Sequence, residues 1–146
     1  MWFQLEKLPR WLRDIAPLML WMVLIFGLSS HARLIRIAHP VESEIFYKTA
    51  HVIFYVILLW LWWRVVSPLR QATGSILALA FLLTVMYGIS DEFHQWFVPG
   101  RHSRVTDVLF DGSGALMMLL LLRSVGWLRN FPENLPSFRV HRPSLS

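Results

Sequence analysis

The sequence predicts an all-α polytopic membrane protein, with four transmembrane helices in a compact bundle. Three observations carry this. Hydrophobic residues make up 55% of the chain and charged residues only 16%. The apolar residues fall in four long runs joined by short polar connections, whereas a soluble core of this length would show amphipathic stripes with charged outer faces. Many of the 8 Trp and 10 Phe lie near the ends of those runs, where their rings settle at the membrane–water interface.

Composition also excludes several functions. With no cysteine, the chain has no disulfide, thiolate metal site or cysteine nucleophile. The net charge of +5 does not point to nucleic acid, because the basic residues flank apolar runs and form no single stripe. The first apolar run is followed by Ser29-Ser30-His31-Ala32-Arg33 without a clean small-x-small site. It therefore reads as a span and not as a cleaved leader.

In chain order, residues 1–14 form a cationic, aromatic lead-in containing Trp2, Phe3, Lys7, Arg10, Trp11 and Arg13, suited to an interfacial anchor. The membrane domain covers residues 15–122. Its first span is expected from about Ile15 to Leu28, with Pro17 tolerated in the first turn. At about 1.5 Å per residue this is short for a hydrocarbon core of about 30 Å, to be made up by Trp11 and Leu12 or by a thinner bilayer. Residues 29–44 form a polar connection. The second span is expected from about Ile45 to Val66, with Lys48, His51 and Tyr55 on one face by their spacing of three and four. Ser67-Pro68 ends it. The third runs from Gln71 or Thr73 to Asp91 or a turn beyond, with Gly74, Ala78, Thr84 and Gly88 as small residues for close packing. Val98-Pro99-Gly100-Arg101 reads as a turn, and Ser103 as the N-cap of the fourth span, with Asp107 in its first turn. The fourth span is expected to reach about Leu122, with a small-residue face at Gly112-Ser113-Gly114-Ala115. Residues 123–146 read as a cytoplasmic, largely disordered basic tail. No internal repeat is visible.

Orientation follows from Lys and Arg. Lys7, Arg10, Arg13, Arg64, Arg70, Arg123, Arg129, Arg139 and Arg142 share one side of a four-span topology, nine in all, against five on the other: Arg33, Arg36, Lys48, Arg101 and Arg104. The positive-inside rule then puts both termini in the cytoplasm.

On the opposite, outer side the topology gathers the polar residues that interrupt the apolar runs. Lys48 and His51 begin the second span, Asp91, Glu92, His94 and Gln95 end the third, and Arg101, Asp107 and Asp111 begin the fourth. Ionisable groups at such depth are functional-site candidates. Glu92, His94, Asp91 and Asp107 supply acid/base groups, and a carboxylate beside a histidine orients the ring and stabilises its protonated form. Arg101, with Lys48, His51 and Gln95, would bind an anionic group. Two rivals stand beside this. The charges could form a structural network pairing Asp91 or Asp107 with Lys48 and Arg101. Alternatively His51, His94, Glu92 and Asp107 could ligate zinc, but no fixed ligand spacing appears, so no metal is assigned and the cofactor stays open.

The pattern Asp91-Glu92-x-His94-Gln95-x-Phe97-x-Pro99-Gly100-Arg101-x-Ser103-x-x-x-Asp107-Val108, then Gly114, resembles the signature of the VanZ-like family of small bacterial membrane proteins. Lys48-x-x-His51-x-x-x-Tyr55 resembles that family's second motif, and Phe26-x-Leu28-Ser29-Ser30 the end of its first span. Tyr47 stands where an Asp often precedes the Lys, Asp111 where Asn is common, and Met118 where a second Gly often follows. The resemblance implies four spans and a bacterial inner-membrane location. The founding member of the family is linked to resistance to the glycopeptide teicoplanin.

Together these point to a cell-envelope protein whose outer-face site binds or modifies an anionic lipid-linked or cell-wall-related substrate. Whether it is an enzyme is left open. The alternative is a membrane adaptor or transporter-like subunit whose charges serve packing. Membrane lipids and a lipid-linked cell-wall precursor are the expected partners, nucleic acid is not one, and the oligomeric state is undetermined.

Overall fold

A computed structural model describes residues 8–30, 40–67, 69, 71–99 and 105–130. A short π-helical stretch, Trp11–Ile15, leads directly into α1 (Ala16–Ser29). Helices α2 (Pro40–Val66), α3 (Gly74–Trp96) and α4 (Val105–Asn130) follow. All four are long and apolar enough to cross a membrane. The chain is a multi-pass membrane protein. The first span begins at Trp11, which removes the shortfall expected for a span starting at Ile15.

The π-helical entry has a local chemical companion. Pro17 has no N–H to give the Arg13 carbonyl four residues earlier. Arg64 at the end of α2 donates to that carbonyl through Nη2 at 2.8 Å. The same guanidinium reaches Asp14 Oδ1 at 2.9 Å, and Arg13 Nη2 donates to Asp14 Oδ2 at 3.0 Å. Asp14 is fully buried. Two cations and their hydrogen bonds make burial of this carboxylate tolerable, and the triad pins the start of α1 to the end of α2.

The helices alternate in direction. The start of α1 meets the end of α2 through this triad, and Trp21 of α1 donates to the Phe54 carbonyl of α2 at 3.0 Å. Tyr87 of α3 donates to the Met22 carbonyl at 2.6 Å. The most extensive packing is of α2 on α4. It depends on Gly114, where a Cβ would collide with the backbone carbonyl of Val52. Two apolar clusters fill the interior: Leu18, Ile25, Tyr55, Leu58 and Leu61, and Leu59, Ala80 and Ala115. Large apolar side chains such as Leu20, Val23, Leu82, Met86, Leu109 and Leu120 point outward, as lipid tails allow and water would not.

Several expectations need correction. Of the small residues on α3, Thr84 and Gly88 are buried but Gly74 and Ala78 are exposed, so only the later pair serves packing. On α4, Gly114 and Ala115 are buried while Ser113 is exposed and Gly112 has open space around it. The fourth helix runs past Leu122 to Asn130, so the segment expected to be tail begins as helix. Its remaining residues lie outside the described ones.

Candidate functional site

At the end of the bundle opposite the Asp14 triad, α2, α3 and α4 contribute side chains in two stacked layers. The outer layer is His51, Glu92 and Asp107. One turn deeper, four residues along each helix, lie Tyr55, Gly88 and Asp111. This register follows from the alternating helix directions: moving inward means counting up on α2 and α4 and down on α3. Below the second layer Leu59 and Ala115 close in the apolar cluster, and Thr84 turns its hydroxyl onto the Ala80 carbonyl at 2.8 Å.

One ligand-capable atom from each of His51, Glu92 and Asp107 lies within 4.8 Å of the others. Glu92 is only 5% exposed, while His51 and Asp107 are half-buried. His51 Nδ1 lies 2.8 Å from Asp111 Oδ1, a bond that joins the two layers and ties α2 to α4. With Asp111 ionised its oxygen accepts, which assigns the proton to Nδ1 and the lone pair of a neutral ring to Nε2.

The second layer holds polar atoms without partners. Tyr55 is 1% and Asp111 2% exposed. Among the described residues, neither the Tyr55 hydroxyl nor Asp111 Oδ2 has a hydrogen-bond partner. Both flank Gly88, where a Cβ would stand 3.4 Å from each of them and 3.1 Å from the Tyr55 ring. The absent side chain therefore lets the Tyr55 ring and the Asp111 carboxylate pack closely on α3 at this level.

A second polar group faces α1. Ser29 donates to Asp91 Oδ1 at 2.6 Å, and Gln95 Nε2 donates to Asp91 Oδ2 at 2.9 Å. His94 Nε2 lies 3.1 Å from Ser30 Oγ, and its ring packs on Phe26 with centroids 4.3 Å apart. Ser29, Ser30 and Phe26 thus grip the end of α3. Asp91 and Gln95 share a face, as their spacing of four predicts. Glu92 and His94 do not: the first faces α2 and α4, the second α1. The candidate acid/base set of Glu92 or Asp91 with His94 is thus spread over two groups: Glu92 lies with His51 and Asp107, and Asp91 with Ser29 and Gln95.

The expected network of Asp91 or Asp107 with Lys48 also differs in the structure. Lys48 Nζ lies 2.9 Å from Glu44 one turn earlier and 5.2 Å from the centre of the Phe110 ring. Asp91 is held by neutral donors. Lys48 instead marks the rim of a groove of about 270 Å³ between α2 and α4, lined also by Ile45, Thr49, Val52 and Phe110. Arg101, Ser103 and Arg104 lie outside the described residues. Ser29 and Ser30 were visible in the first-span motif but carried no assigned role. The Asp14–Arg64 pair was missed because fifty residues separate its members.

A bundle of four span-length apolar helices that buries ionisable side chains at both ends defines a polytopic membrane protein. The VanZ/LLP1 family profile matches residues 14–128, covering both polar groups and all four spans, and the chain belongs to this family. No curated protein and no solved structure matches the chain.

Proposed function

We propose that the chain is a bacterial cell-envelope protein that binds the anionic head group of a lipid-linked or cell-wall-related substrate at the outer face of the cytoplasmic membrane. The observation that carries this is the groove beside the layered site. It is apolar along Ile45, Val52 and Phe110, as an acyl or polyprenyl chain requires, and it has the Lys48 ammonium at its rim. One helical turn from Lys48 stands His51, so a head group held by Lys48 lies next to the His51–Asp111 pair. The Lys and Arg asymmetry supports the outward orientation, with both termini cytoplasmic.

In this reading His51, oriented by Asp111, stands beside the head group together with Glu92 and Asp107. Arg101 is assigned to the anion by the family motif. Asp91, Gln95 and His94 position the end of α3 against α1. The link of the family's founding member to teicoplanin makes altered susceptibility to such glycopeptides the expected phenotype. The second reading, an adaptor with structural charges, draws support from the fully paired Asp14 triad and the neutral donors on Asp91; it covers those residues well but leaves the Tyr55 hydroxyl and Asp111 Oδ2, without partners among the described residues, unexplained.

The test is complementation in a strain lacking the gene. His51→Ala and Asp111→Ala, present at wild-type abundance, should fail to restore the susceptibility phenotype, whereas full restoration by both would remove the site. Because the chain lacks cysteine, a single Pro99→Cys substitution reports orientation. It should react with a membrane-impermeant maleimide in intact spheroplasts.

A further inference from the structure

We propose that His51, Glu92 and Asp107 form a divalent metal site of the zinc type, with Asp111 as its positioning residue. The proposal names a cofactor for the site assigned above and rests on that assignment only for its location. One imidazole nitrogen and two carboxylate oxygens from three different helices already lie within 4.8 Å of one another. Three protein ligands leave a position open, as in zinc sites that bind a further oxygen ligand. Nitrogen and oxygen donors without thiolate suit Zn²⁺ or Mn²⁺ and disfavour soft monovalent copper.

Two further features point the same way. Asp111 takes His51 Nδ1 at 2.8 Å, which leaves Nε2 with the lone pair a metal needs. A carboxylate behind a ligand histidine is the usual outer-shell arrangement in metal sites. Independently, the Tyr55 hydroxyl and Asp111 Oδ2 are buried without hydrogen-bond partners among the described residues, one helical turn below the ligand layer. An unmet donor and an unmet acceptor at this depth, both close to Gly88, call for a polar partner and not lipid. A divalent ion would also offset the crowding of Glu92, Asp107 and Asp111 in a low-dielectric interior. With its open position it would take a phosphate or carboxylate oxygen, so an acidic site could hold an anionic head group.

The experiment uses the full chain purified in detergent, stripped with chelator and titrated with Zn²⁺ against a chromophoric competitor. Wild type should bind close to one equivalent and show a Zn²⁺-dependent rise in its unfolding temperature. Asp107→Asn, at the accessible edge of the layer, and Glu92→Gln should each lose at least tenfold in affinity. Asp111→Ala should lose roughly tenfold to a hundredfold through the ring it orients. His94→Ala, which removes a histidine facing α1, should bind zinc as wild type does. No saturable zinc binding by wild type, or an equal loss in His94→Ala and Asp107→Asn, overturns the proposal. Binding of a polyprenyl phosphate is measured in parallel on chelator-stripped wild type. Undiminished lipid binding with no zinc binding sinks the metal site while leaving the substrate reading intact; zinc binding without any lipid binding does the reverse.

Discussion

His51 of α2 and Asp111 of α4 face each other at 2.8 Å in the interior of the bundle. The bond joins the only pair of helices that also touch backbone to side-chain position at a glycine among the described residues, Val52 against Gly114. The polar contact and the close approach lie on successive residues of α2, so each fixes the geometry the other needs. Chemistry and packing are thus coupled at this point.

That coupling predicts a specific double-mutant result. His51→Ala leaves the Asp111 carboxylate buried without its cross-helix partner, a loss of about 3 kcal/mol. Removing both side chains relieves the unpaired charge. The cycle of His51→Ala and Asp111→Ala should therefore be non-additive by about 1–3 kcal/mol in unfolding experiments, and simple additivity would show that the two do not interact.

Gly114 should tolerate no side chain. Gly114→Ala pushes a methyl into the Val52 carbonyl, and overpacking of this kind costs about 1–3 kcal/mol. Gly112→Ala is the control, since nothing lies within 4 Å of its added Cβ. Its stability should match wild type or exceed it slightly. Thermal unfolding in detergent measures both.

Ser29→Ala removes the α1 donor to buried Asp91. A hydrogen bond to a charged group contributes about 1.5–3 kcal/mol, and stability should fall by that amount. Binding at the His51 layer should change little, because Asp91 faces α1. A large loss of lipid binding with unchanged stability would place Ser29 and Asp91 in the site after all.

At the other end of the bundle, Asp14→Ala leaves Arg13 and Arg64 without their shared counter-ion. The expected cost is about 3 kcal/mol, again without effect on head-group binding. Unfolding and lipid binding measured on the same preparation separate the two effects.

How much of this was legible beforehand follows from what the sequence encodes. Apolar runs bounded by aromatic and basic residues specified four spans, because a bilayer requires every backbone polar group to be satisfied within a helix. Spacing within one helix was equally readable: Lys48, His51 and Tyr55 share a face, and Gln95 reaches Asp91. The partners across helices were not. Glu92 and His94 are two residues apart, yet helical rotation sends them to different neighbours. Asp111 lies sixty residues from His51 and meets it only because α2 and α4 run the same way. Pro17 was readable as tolerable near a helix start, but nothing local showed that Arg64 would take the Arg13 carbonyl.

The central claim is that the groove beside the His51–Asp111 layer receives a lipid with an anionic head group. Binding of a polyprenyl phosphate to the purified chain in nanodiscs tests it most directly, with wild type compared against Lys48→Ala, His51→Ala and Ser29→Ala. Saturable binding is expected for wild type and Ser29→Ala, with at least tenfold weaker binding by Lys48→Ala and His51→Ala and no binding of the uncharged polyprenol. Equal binding by all four proteins, or equal binding of phosphate and alcohol, would contradict it.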